Sequence, residues 1–173
     1  AKVVAIGEIG LDYYWEKDAS VRKMQRDWFY RQLIVAQEAG LPVIIHSRDA
    51  AQDTLVMMQE AYSRKIPGVI HCFSYAPEQA EQYVQMGYYI GVGGVVTFKN
   101  AKKLVETVER IPLESLVLET DCPYLAPEPY RGKRNSSLYL SYVAEKIAEI
   151  KGIDTVEVIR TTEKNACNLY QIA

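Results

Sequence analysis

The chain has 173 residues, with 20 lysines and arginines against 22 aspartates and glutamates, a formal charge of −2, and an apolar content of 49%. These proportions fit one soluble globular domain spanning residues 1–173 and exclude a disordered or fibrous protein. No run reaches the roughly 20 apolar residues of a membrane span, and the first residues show no basic-then-apolar signal pattern. With so little net charge, a polyanion has to be drawn by a local basic cluster, and three cysteines without a CxxC pair (Cys72, Cys122 and Cys167) point to a reducing, cytoplasmic compartment.

The first predicted strand is Val3–Ile9, which begins almost at the first residue, so the chain reads as opening in mid-structure. A helix from Val21 to Ala39 follows, its face drawn by Val21, Phe29, Leu33 and Ala36 and its end marked by Gly40. Strand Pro42–His46 precedes helix Ala50–Ala61, and strand Gly68–Phe73 precedes helix Pro77–Met86 with Gly87 behind it. Strand Tyr88–Val92 precedes helix Ala101–Arg110, and the last strand is Leu116–Glu119. Two consecutive helices, Ser136–Lys151 and Thr155–Tyr170, complete the chain.

The strands are near-continuous runs of Val, Ile and Leu, the pattern of a parallel sheet buried on both faces. Alternation of strand and helix selects an α/β fold with right-handed crossovers. An open doubly wound sheet would carry a glycine-rich phosphate loop after its first strand, and none is present. A (β/α)8 barrel gathers its active groups at the C-terminal ends of the strands. Four of the five strands close on such a group: Glu8, His46, His71 and Asp121. Two imidazoles and two carboxylates form the mixed N/O set that suits Zn, Mn or Mg in hydrolytic sites. The bland alternative is that the acids are solvated and each histidine bonds backbone at a strand end.

Residues 123–135 form the longest irregular stretch, held extended by prolines, and Arg131, Lys133 and Arg134 make it the dense basic cluster expected to bind substrate phosphates. The helix that starts near Ser136 would offer its N–H groups to the same anion. Tyr13, Tyr14 and Trp15 are either stacking surfaces for bases or ordinary packing, with packing favoured. Cys72 and Cys122 each follow a proposed ligand, so strand alternation would turn them away as buried filler. Lys99 has no partner that would make it a Schiff-base lysine.

Six segments carry a resemblance: Gly7-Glu8-Ile9-Gly10-Leu11-Asp12, Pro42-Val43-Ile44-Ile45-His46-Ser47-Arg48, His71-Cys72-Phe73-Ser74, Val96-Thr97-Phe98-Lys99-Asn100, Glu119-Thr120-Asp121 and Tyr130-Arg131-Gly132-Lys133-Arg134-Asn135, with Asn165-Ala166 as a seventh. In this order they resemble the TatD family of metal-dependent deoxyribonucleases across essentially the whole chain. The resemblance implies an amidohydrolase-type TIM barrel, one to three divalent ions, and 3′–5′ exonuclease hydrolysis of DNA phosphodiesters, with single-stranded DNA as the partner. It further implies that Glu8 bridges metals, that His46 and His71 each bind one, and that Asp121 binds metal and orients or deprotonates the attacking water.

Two departures from the family pattern stand out. Tyr75 takes a place where the family has glycine, which would narrow or reshape the mouth above His71. The His-x-His pair of the family's first strand has no counterpart, since no histidine precedes His46. Gly7-Glu8 resembles the family's fourth strand, so the sequence reads as about five βα units of the barrel, lacking three N-terminal strands. The expectation is a truncated form of weak or no activity, with sheet edges open to self-association. Two rivals stand beside it: a metal-dependent hydrolase of another ester or amide such as D-aminoacyl-tRNA, and a non-catalytic binding remnant.

Overall fold

The structure, a computed structural model, describes residues 2–172. Five parallel strands lie side by side in chain order: β1 (Ile6–Asp12), β2 (Val43–Arg48), β3 (Gly68–Ile70), β4 (Tyr89–Val92) and β5 (Leu116–Leu118). They alternate with α1 (Ala19–Ala39), α2 (Ala51–Ser63), α3 (Pro77–Gln85) and α4 (Lys102–Arg110), and α5 (Leu140–Lys151) and α6 (Thr155–Tyr170) follow. Neighbours in sequence are neighbours in the sheet throughout, the strand order of a TIM-barrel wall. β1 and β5 are its edges among the described residues.

Period-two alternation divides the apolar side chains between two faces. Val43, Ile45, Ile70 and Ile90 point into the main core beneath the helices, where Phe29, Leu33 and Ala36 of α1 meet them. Ile44, Val69, Tyr89 and Val117 point the other way and are covered by Leu169, Ala166 and Tyr170 of α6. Asn165 pins α6 to the end of β5, its side-chain amide donating to the carbonyls of Leu113 (2.9 Å) and Leu116 (2.7 Å). The predicted helix stops hold, with Gly40 and Gly152 in the left-handed conformation at the ends of α1 and α5. No helix among the described residues is long and apolar enough to cross a membrane.

Some boundaries shift, each for a visible reason. The first strand starts at Ile6, not Val3: Val3 is 62% exposed and has no strand to pair with, so apolar composition alone misplaces it. Its far end runs on to Asp12, because Gly10 through Asp12 pair with His46 through Arg48. The predicted helix from Ser136 begins with a 3-10 turn, Ser137–Tyr139, and becomes α-helical at Leu140. The Ser136 side chain accepts from the N–H of Leu138, so the first donors expected to face an anion are partly engaged.

Candidate metal centre

The C-terminal ends of the strands open into a cleft of about 690 Å³, and Glu8, His46, His71 and Asp121 all line it. The four residues picked out by their spacing therefore share one cavity. They stand as two pairs, one on β1 and β2, the other on the loops after β3 and β5.

In the first pair, Glu8 sits inside β1 and not at its end. Between the pairings Ile6 to Val43 and Ile9 to Ile45, β1 carries one residue more than β2, a bulge that breaks strict alternation and re-aims the side chain. Glu8 Oε1 meets His46 Nδ1 at 2.8 Å, and the other ring nitrogen, Nε2, lies 3.3 Å from Asp12 Oδ2. Close approach of the strands here requires Gly10, where a Cβ would fall 1.9 Å from the His46 carbonyl oxygen. The end of β1 is held by α1: the Gln25 amide accepts from the Asp12 N–H (2.8 Å) and donates to the Asp12 carbonyl (2.9 Å).

The second pair is more enclosed. His71 Nδ1 lies 2.7 Å from Glu119 Oε2, leaving Nε2 facing Asp121 Oδ1 at 3.8 Å. Glu119 also accepts from the backbone N–H of Cys72 through Oε1. Its carboxylate reaches β3 by crossing over Gly91 of β4, where a Cβ would fall 2.5 Å from Oε1. The gap left by one glycine thus admits the group that orients His71. Burial opposes charging of His71, but hydrogen bonds to Cys72 and Glu119 outweigh it and carry the imidazole's pKa up to about 11.

The ring contacts explain why a divalent cation fits. A neutral imidazole donates from one nitrogen only. With both ring nitrogens of His71 facing carboxylates, a second ring proton supplies the positive charge that its raised pKa reflects, and a bound cation would take that proton's place; His46 likewise has a carboxylate at each nitrogen. Each arrangement calls for positive charge between the partners. Nitrogen and carboxylate oxygen are the donors that Zn and Mn accept in such sites. The ligands for it would be Glu8, His46, His71 and Asp121, with Glu119 in the supporting role that carboxylates take behind metal-binding histidines. A ring nitrogen of His71, the Cys72 sulfur and a Glu119 oxygen also lie within 4.8 Å of one another. That cluster braces the site and does not form a second one, since Glu119 is committed to two hydrogen bonds and burial pushes the Cys72 thiol's pKa up.

Several expectations need correction. Cys72 is not filler turned away from the site: the strand stops at Ile70, Cys72 adopts a positive φ of 44°, and its side chain lines the cleft. Cys122 is exposed, because no strand continues through it to impose alternation. Tyr75 does not line the cleft. Its hydroxyl shares a hydrogen bond with Ser47 Oγ (2.8 Å) and accepts from the Ala50 N–H (3.2 Å), tying the β3–α3 loop to the end of β2. Tyr13 packs, as expected, with its hydroxyl donating to Asp53 (2.7 Å), whereas Tyr14 and Trp15 are exposed. Arg131, Lys133 and Arg134 are exposed on the 123–135 loop and are not among the cleft-lining residues; the Arg131 guanidinium lies over the Phe98 ring at 4.2 Å.

Two residues with clear parts in the site, Asp12 and Glu119, had no assigned role in the sequence reading. Glu119 had a signal, standing two residues before Asp121. Asp12 had a weaker one, four residues after Glu8 on a strand whose bulge hides the alternation.

The family model described as TatD related DNase matches residues 1–171. The uncharacterized metal-dependent hydrolase YabD of Bacillus subtilis (strain 168) is 47% identical over 171 residues, covering 99% of this chain and 66% of the relative. The uncharacterized metal-dependent hydrolase YcfH of Escherichia coli (strain K12) is 41% identical over 170 residues, covering 98% and 63%. Among solved structures, the TatD homologue YjjV of Escherichia coli K12 superposes with a TM-score of 0.91 at 34% identity, covering 100% of this chain and 66% of that one. The chain thus spans about two thirds of the length of the relatives it matches. Matched along nearly its whole length by the family model and by relatives well above 30% identity, the chain belongs to the TatD related DNase family.

Proposed function

We propose that the protein is a divalent-metal-dependent hydrolase that cleaves phosphodiester bonds of DNA, single-stranded DNA foremost, by 3′–5′ exonucleolytic attack of water. The observation that carries this reading is the meeting of Glu8, His46, His71 and Asp121 in one cleft at the strand ends. The chemistry that divalent ions supply when bound in such a cleft is Lewis acidity, which neutralises charge as it builds on the phosphoryl oxygens.

The chain's own residues do the rest. Asp121, at the cleft and partly exposed, would orient a water and take its proton as the new P–O bond forms, while the P–O3′ bond breaks and the leaving 3′ oxygen takes up a proton from solvent. Glu119 holds the His71 ring in one orientation, so that Nε2 and Asp121 keep a fixed relation through the reaction. Glu8 and His46 do the same on the β1–β2 side. The family description, TatD related DNase, is what favours DNA over other phosphodiesters.

The test is incubation of the protein with a 3′-labelled or 5′-labelled single-stranded oligonucleotide in Mg²⁺ or Mn²⁺. Progressive shortening from the 3′ end is expected, abolished by chelator. Intact DNA alongside hydrolysis of an ester or amide such as D-aminoacyl-tRNA would overturn the DNA reading while keeping the metal hydrolase.

A further inference from the structure

Above the metal-facing carboxylates, the rim of the cleft carries an arrangement that the hydrolytic chemistry does not use. Trp15 lines the cleft and yet is 71% exposed. Its indole is held edge-on by Tyr14, with ring centres 4.7 Å apart and planes at 89°. The Arg48 guanidinium, also lining the cleft, lies 4.1 Å from the Tyr14 ring centre and 5.7 Å from that of Trp15. Among the described residues Arg48 forms no ion pair, although the same cavity contains Glu8 and Asp121.

An indole with most of its surface in water costs free energy unless something covers it. An arginine beside it and without a carboxylate is a site for an anion. The loop that bears Trp15 is also fixed in place. The Tyr13 N–H donates to the Arg48 carbonyl (2.8 Å), Arg22 and Lys17 donate to the Tyr13 carbonyl, and the Tyr13 hydroxyl is held between Asp53 and Arg26. The platform is therefore preorganised, and little ordering remains to be done when a ligand arrives. Arg48 is two residues beyond His46 on β2, so an anion bound to it lies next to the metal-facing ring in sequence and on the same cleft wall.

We propose that Trp15 and Arg48 form a nucleotide subsite, the indole stacking on an unpaired base of single-stranded DNA and the guanidinium pairing with an adjoining phosphate. This rests on the phosphodiester reading above and extends it. A flat π-face accepts any base, so the subsite selects strands whose bases are free to stack and not a particular sequence. Duplex DNA, whose bases are already stacked and paired, cannot use it.

The experiment uses Trp28→Phe protein, which leaves Trp15 as the sole tryptophan. It is titrated in Mg²⁺ with cleavage-resistant, phosphorothioate-linked oligothymidylate. Trp15 fluorescence should be quenched on binding, and neither an abasic strand of equal length nor a duplex should quench it. Trp15→Ala, read by anisotropy of a labelled strand, should weaken binding by about 5- to 100-fold, and Trp15→Phe should restore most of the loss. Arg48→Gln should lower the slope of log affinity against log salt by about 0.7, and Trp15→Ala should leave that slope unchanged.

Equal quenching by the abasic strand, or unchanged affinity in Trp15→Ala, would overturn the stacking role. An unchanged salt slope in Arg48→Gln would overturn the phosphate contact. Base-dependent quenching without any cleavage of the ordinary phosphodiester strand would sink the nuclease reading and leave the subsite standing. Cleavage without base-dependent quenching would do the reverse.

Discussion

The two sides of the candidate metal centre are built to different standards. On the β3–β5 side, His71 and the Glu119 carboxylate that orients it are each less than one-fifth exposed, and that carboxylate fixes both the His71 ring and the Cys72 backbone, while Asp121 stands further out, 39% exposed and 3.8 Å from the ring. On the β1–β2 side, His46 is 34% exposed and Glu8 47%, and the second carboxylate stands back at 3.3 Å. Screening by water weakens the contacts of the open pair, while burial makes each contact of the closed pair count for more. The closed pair sets the geometry in advance, whereas the open pair leaves its carboxylates room to adjust.

The largest effect that would test this contrast is expected from Asp121→Asn, which removes the proposed proton acceptor with little change in shape. Steady-state hydrolysis of single-stranded DNA should fall about 10²- to 10⁴-fold. A fall of under tenfold would mean that Asp121 does not take the proton. Next comes Glu119→Gln, which should lower divalent-ion affinity about 10- to 100-fold by calorimetry, because His71 loses its orienting partner. Gly91→Ala should act in the same direction without replacing any ionisable group. The added Cβ would displace the Glu119 carboxylate from His71 and the Cys72 N–H, so ion affinity should drop, with some loss of thermal stability from the two broken hydrogen bonds. Retained affinity in that variant would show that the Glu119 carboxylate need not cross β4. The smallest effect is expected from Asp12→Asn on the open side, whose loss of ion affinity should be less than that of Glu119→Gln. The opposite ranking would reverse the contrast between the pairs.

Much of the fold was readable because its signals are local. Near-continuous Val, Ile and Leu runs separated by amphipathic helices ending at Gly40 and Gly152 define a parallel α/β wall without reference to anything distant. Glu8, His46, His71 and Asp121 could be picked out because the fold places strand ends together, so position along the chain stood in for position in space. What escaped depended on departures from regular structure. The β1 bulge re-aims Glu8 and obscures Asp12, and the early stop of β3 turns Cys72 into the cleft. Glu119 escaped because its partner is 48 residues away and its path depends on a missing Cβ at Gly91. That Tyr75 does not narrow the mouth was not legible, for a related reason: sequence shows that a side chain is large but not which way a loop turns it.

The Tyr75 hydroxyl has a consequence for how the cleft behaves when ions come and go. It joins the loop that follows His71 to Ser47, the residue next to His46, and the His71 N–H is itself bonded to the Ile45 carbonyl at 2.9 Å. The separation between the two imidazoles is thereby a dimension of the scaffold, established when the chain folds. Exchange of one cation for another would then alter charge and reactivity while leaving the spacing between the rings where the scaffold put it.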